Sequence, residues 1–161
     1  MSFTQLILYD EEFKKINDVI TKLYSETNSK VIFLVDRNGQ LIASTGETEN
    51  LDTTSLASLT AGNIAATGSI AKLLGEKEFT IIFHEGYRDN IYISIVGRRV
   101  IMVVIFDERS SLGLVRLRAK KAGEDLTVIF DNLMKKVESK SEGASPFAEI
   151  TDEDIDRLFS E

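Results

Sequence analysis

From Asp10 to Ser25, Phe13, Ile16, Ile20, Leu23 and Tyr24 recur at three- and four-residue steps, while Lys14, Lys15, Asp18 and Lys22 fall between them. That period predicts an amphipathic helix, with Asp10 placed to cap it. The pattern then changes. Val31 to Val35 is an unbroken apolar run, followed by Asn38-Gly39 and by Gln40 to Ser44, which predicts a β-hairpin turned by an Asn-Gly pair. A polar loop from Gly46 to Asp52 leads into TTSLASLTAGNIAATGSIAKLLG, whose apolar spacing is again helical. FTIIFHE from Phe79, IYISIV from Ile91 and VIMVVIF from Val100 then read as three strands, separated by turn signals at Gly86 to Asn90 and Gly97 to Arg99. Short turns imply antiparallel neighbours. A last long helix is expected from Ser110 or Ser111 to about Lys136, burying Leu114, Ala122, Leu126, Ile129, Phe130, Leu133 and Val137.

Strands that are apolar at every position must be covered on both faces. The order helix, hairpin, helix, meander, helix therefore predicts an α+β domain over residues 1–137, a five-stranded antiparallel sheet between one helix and two. Beyond it, SKSEGAS reads as a flexible linker over residues 138–147, and residues 148–161 as a short helix with Thr151 as its cap. Phe147, Ile150, Ile155, Leu158 and Phe159 give this acidic end an apolar side. A helix so short is unstable alone in water and needs a surface to lie on.

The middle helix carries the most unusual pattern. Steps of about 100° gather Leu56, Leu59, Ile70, Leu73 and Leu74 into one stripe, expected to face the core. Ala57, Ser58, Ala61, Gly62, Ala65, Gly68 and Ser69 fall on the far side, and no charged residue occurs from Thr53 to Ala71. A helix facing water carries charges. A smooth face of Gly, Ala and Ser instead admits another backbone closely, at little desolvation cost. Either a terminal helix of the same chain folds over it, or it is a surface for self-association and partner docking. Asn63, within the apolar stripe, is expected to hydrogen-bond loop backbone, as a buried amide requires.

Charge sharpens this division. The net charge of −7 is uneven, since residues 1–137 hold 17 basic and 18 acidic side chains and residues 138–161 hold 2 and 8. An acidic end on a nearly neutral body argues against nucleic acid. Leu6 to Tyr9 is too short for a signal core or a membrane span, so a cytoplasmic protein without membrane insertion is expected.

Candidate chemistry is thin. There is no cysteine and one histidine, and neither GxGxxG nor GxxxxGK[ST] occurs, so no catalytic, metal or cofactor-binding residue is expected. His84 would need an orienting carboxylate and a nucleophile to act, and a structural role is the simpler reading. Thr80, Ile82 and His84 alternate along a strand that could pair with a second copy if it forms a sheet edge. RLRAKK at 116–121 has the look of a phosphate patch, diluted by Asp107, Glu108, Glu124 and Asp125. Arg88, Arg98, Arg99 and Arg109 sit at turns, where an arginine could reach a partner's phosphate.

VIFLVDRNGQLIAS, TTSLASLTAGNIAA, GEKEF, FHEG, FDERSSLGLVRLRAKKAGEDL and SPFAEITDEDIDRLFSE together span nearly the whole chain. In these segments the chain resembles the Roadblock/LC7 family, and within it the regulators of bacterial polarity and gliding motility. The resemblance implies a homodimer whose third strands, with Thr80, Ile82 and His84, pair into one sheet while the middle helices lie side by side. It implies docking of one Ras-like small GTPase on two regulator chains through Ala61, Ile64, Ala65, Gly68, Ser69 and Lys72. It further implies GTPase activation without an arginine finger, concentration at a cell pole, and a C-terminal helix that modulates nucleotide exchange. A scaffold that recruits partners without changing hydrolysis, and a sensory domain with a ligand pocket, stand as the alternatives.

Overall fold

The computed structural model describes residues 10–143, with side chains as far as residue 138. Helix α1 spans Asp10–Thr27, strands β1 and β2 span Val31–Asp36 and Leu41–Gly46, and helix α2 spans Thr53–Leu73. Strands β3 (Ile81–His84), β4 (Asn90–Val96) and β5 (Val100–Phe106) follow, and helix α3 runs from Leu112 to Gly143. The strands form one antiparallel sheet in the order β2-β1-β5-β4-β3. The expected fold is thus present, with β1 and β5 at its centre and β3 at one edge.

The hairpin closes as its turn residues dictate. The Asp36 carboxylate accepts the backbone N–H groups of Asn38 and Gln40, both at 2.9 Å, and Gly39 takes φ +90, open to glycine at no steric cost. The pairing register of β1 and β2 shifts between Leu34 and Val35.

Two cores explain the continuous apolar strands. On one face Ile32, Leu34, Met102, Val104 and Phe106 pack against Ile16, Ile20 and Leu23 of α1 and against Val115, Ala119, Ala122 and Leu126 of α3. On the other, Val31, Phe33, Val35, Ile101, Val103 and Ile105 lie beneath Ala57 and Ile64 of α2. Each large side chain fully buried here contributes about 1.5–3 kcal/mol.

Three expectations outside α2 need correction. The buried stripe of α1 runs Glu12, Ile16, Ile20, Leu23 and Thr27, which turns Phe13 outward; Glu12 is buried against the end of α3 and paired with Lys136. In α3, Val115 and Ala119 enter the core where Leu114 was expected, and Val137 is exposed. The helix also continues through residues 138–143, the start of the expected linker, because Glu138, Lys140 and Glu142 suit a helix as far as Gly143. The rest of that linker and the expected helix over 148–161 lie outside the described residues.

The largest correction concerns α2. The residues turned to the sheet are Ala57, Thr60, Ile64 and Ala71. Of the expected apolar stripe only Leu56 packs on the core, whereas Leu59, Ile70, Leu73 and Leu74 are exposed at 71%, 51%, 87% and 68%. A helix that approaches a sheet closely needs small residues at the contact, which Ala57 and Ala71 supply. The larger side chains go where there is room, on the far side.

Candidate functional site

Asp52 starts α2 as its N-cap: its carboxylate accepts the Ser55 backbone N–H at 3.1 Å and the Ser55 hydroxyl at 2.6 Å. Those bonds, the hydroxyl's first, hold the Asp52 carboxyl below its ordinary value. Along the helix, three sides can be told apart. The first is the core side just described, and it includes Ile64 at 5% exposure. Ile64 is therefore not available to a partner, contrary to the expectation that it belongs to the docking face.

The second side carries Ala65, Ser69 and Lys72, all exposed, with Ala61 and Gly68 half-buried at its margin. It borders the hairpin, since a Cβ on Gly39 would fall 3.1 Å from the Ser58 Cα and 3.6 Å from the Ala61 Cβ. Five of the six expected docking residues are thus gathered on one smooth flank. The third side, with Leu56, Leu59, Asn63 and Ile70, points away from that turn. On the same face of the sheet Ile82, Ile91 and Ile95 are only partly covered. Asn63 does not find the loop partners expected of it, and its Oδ1 is buried without a hydrogen bond among the described residues.

Among the described residues, strand β3 leaves one edge of the sheet open. The register Ile82↔Ile93 and His84↔Ile91, with Ile95 N–H donating to Thr80 O at 3.0 Å, turns the backbone groups of Thr80, Ile82 and His84 inward to β4. The outward N–H and C=O groups belong to Ile81 and Phe83. The side chains of Ile82 and His84 lie on the α2 face and those of Ile81 and Phe83 on the other, where Phe83 stacks on Phe106 with ring centroids 6.1 Å apart. The named strand residues therefore offer side chains to the α2 face, while their odd-numbered neighbours offer the hydrogen bonds.

The arginines at the turns have unequal freedom. Arg109 is bound to Asp107 at 3.0 Å and to Glu47 at 3.1 Å, joining the start of α3 to the loop before α2. This pairing raises the guanidinium's pKa and holds Asp107 below its ordinary value. Arg88, Arg98 and Arg99 are exposed. In the 116–121 cluster, Arg118 pairs with Glu26 at 3.7 Å and Lys121 with Asp125 at 3.1 Å. These pairs rim a depression of about 170 Å³ between α1 and α3 whose charges answer one another, unlike a phosphate cradle. Among the described residues no group of three or more His, Asp or Glu could hold a metal ion, and no helix is long and apolar enough to cross a membrane. Phe147, Ile150, Ile155, Leu158 and Phe159 lie outside the described residues.

The described residues thus combine a sheet whose last strand is β3 with a helix that carries no charge from Thr53 to Ala71. The lineage is shown by comparison: the Roadblock/LC7 domain profile matches residues 15–106, and the chain belongs to the Roadblock/LC7 family. Among solved structures it is similar to Myxococcus xanthus MglB, with 64% identity and a TM-score of 0.74 over 76% of this chain and 92% of that one. The gliding protein MglB of Thermus thermophilus is 34% identical with a TM-score of 0.72, covering 75% of this chain and 92% of its own. An MglB solved in a tetrameric arrangement is 33% identical, with a TM-score of 0.72 over 75% and 91% of the two chains. Comparison with the curated proteins gives no match.

Proposed function

We propose that this chain is a homodimeric regulator of a Ras-like small GTPase of the MglA type, acting in cell polarity or gliding motility. It stimulates hydrolysis by docking on the GTPase's switch segments. The observation that carries the reading is the exposed flank of Ala65, Ser69 and Lys72, set in a helix without charge from Thr53 to Ala71. Likeness to two MglB proteins, the one from Thermus thermophilus a gliding protein, supports the choice of partner.

Phosphoryl transfer asks for an oriented water and for positive charge on the transferring group. The docking flank contains no arginine, and Arg109 is held by two carboxylates. The GTPase must then supply the catalytic groups, and the regulator fixes the segments that bear them. Two chains joined along β3 would present both α2 helices to one GTPase. Phe147, Ile150, Ile155, Leu158 and Phe159 would reach a second surface of it, modulating exchange, from the cytoplasm at a cell pole.

The test is GTP turnover by the cognate GTPase with and without this chain. A rate that rises with regulator concentration is expected, and it should survive replacement of Arg88, Arg98, Arg99 or Arg109 singly by Ala. Loss of about a thousandfold from any one of these would reveal a finger. Unchanged turnover with retained binding would instead establish a recruiting scaffold.

A further inference from the structure

We propose that Arg37 is a positioning residue for docking: from the β1–β2 turn it clasps the chain that leaves α2, and so holds the docking flank in the orientation its partner needs. This rests on the docking role in the proposed function and goes beyond it by naming the residue that keeps the flank in place.

Three observations carry it. First, the β1–β2 turn is firmly built and lies against α2. Asp36 N–H donates to Gln40 O at 2.9 Å and Gly39 N–H to Asp36 O at 3.0 Å, while the Asp36 carboxylate holds the next N–H groups. A Cβ on Gly39 would meet both Ser58 and Ala61, at the margin of the docking flank. Second, Arg37 in that turn divides its guanidinium between two other loops. One terminal nitrogen pairs with Glu78 Oε1 at 2.7 Å, and Nε donates to Arg98 O at 2.6 Å. Third, Glu78 is the middle of the connection from α2 to β3. On one side of it Glu76 N–H donates back to Ala71 O at 2.9 Å, and on the other Thr80 O accepts Ile95 N–H at 3.0 Å. Between them, among the described residues, no backbone hydrogen bond holds Lys77, Glu78 or Phe79.

The turn therefore grips α2 twice, directly at Ser58 and Ala61 and, through Arg37, at the chain leaving its C-terminal end. Both side chains of the ion pair are partly exposed, so the pair adds little to stability. Its effect is on orientation. A rigid guanidinium fork spans two acceptors in fixed directions, as an ammonium on a flexible stem does not. A flank already held in place needs no ordering when a partner docks, whereas the cost of ordering a loose one is subtracted from affinity.

The experiment uses the full chain and its cognate GTPase loaded with GTP. Arg37→Ala and Glu78→Ala should each raise the dissociation constant about fivefold, the scale of one exposed ion pair. The double variant should bind no more weakly than either single one, because the two residues act through each other. Stimulated turnover at saturating regulator and the thermal midpoint should stay as in the wild type, while amide exchange at Lys77 to Phe79 quickens. Unchanged affinity, effects that add in the double variant, or turnover lost at saturation would each overturn the proposal. Should an alanine variant not fold, Arg37→Lys decides, since it keeps the charge and loses the fork; wild-type affinity would overturn the proposal. A wild-type chain that does not bind the GTPase would overturn the proposed function and this docking role with it, while slower amide exchange in the wild type than in the variants would still establish the clasp.

Discussion

Ile64 and Ala65 are neighbours in the chain and opposites in the fold. Ile64 is buried beneath α2 in the core that includes Ile93 and Val103, and Ala65 faces outward. Truncating Ile64 to Ala should cost about 2–5 kcal/mol in a denaturant titration, through the cavity it leaves. Ala65→Arg should leave that titration unchanged and abolish capture of the GTPase in a pull-down; retained capture would remove Ala65 from the docking flank. Apolarity could not separate these two positions, because a helix without charge from Thr53 to Ala71 has no polar face to orient it. The better signal was the spacing of Ala57, Thr60, Ile64 and Ala71, small or β-branched residues suited to close approach, which the larger leucines outweighed. Acid sensitivity also belongs at this scale. Asp52 and Asp107, bound to Ser55 and Arg109, and Glu12, bound to Lys136, are all held below their ordinary values of 3.8, 3.8 and 4.5. Their contribution to stability is full above those values and is lost as pH falls through them towards the lowered ones. Thermal midpoints should therefore decline below about pH 4.5, and Arg109→Ala should reduce that decline by freeing Asp107.

Strand β3 is four residues long, mostly exposed and, among the described residues, open on one side. Its two backbone rows differ in what they hold. Ile81→Pro removes an N–H that points out of the sheet, so it should yield a monomer by light scattering while the circular dichroism of a folded domain persists. Ile82→Pro removes one that points to β4 and should lower the thermal midpoint. Equal mass for Ile81→Pro and the parent chain would exclude strand pairing through this edge. The meander and the hairpin were legible because Asn38-Gly39, Gly86 and Gly97 mark the turns and the strands between them are richly apolar. The inward and outward rows of β3 were not, since side-chain alternation shows which face a residue takes and never which way its N–H points. That depends on Thr80 bonding Ile95, a contact made across a turn.

For the whole molecule, both cores can be followed among the described residues alone. Their buried residues run from Ile16 to Leu126, and even the partly covered Phe130 precedes the last turns of α3. A chain ending at Gly143 should thus unfold at the same temperature as the full one, and on the proposed function it should keep GTPase stimulation while losing any effect on nucleotide exchange. A lowered thermal midpoint would mean instead that residues 144–161 brace the domain. The layer order was legible from periodicity, whereas the extent of α3 was not, because Glu138 to Glu142 is as compatible with a solvated helix as with a linker. The absence of charge from Thr53 to Ala71 bears last on kinetics. A neutral surface exerts no long-range pull, so a partner arriving at it relies on diffusion and orientation alone, at about 10⁵–10⁶ M⁻¹s⁻¹. Its encounter rate should respond only weakly to ionic strength, and salt dependence measured with the full chain must enter through Lys72 at the helix end or through residues remote from this helix.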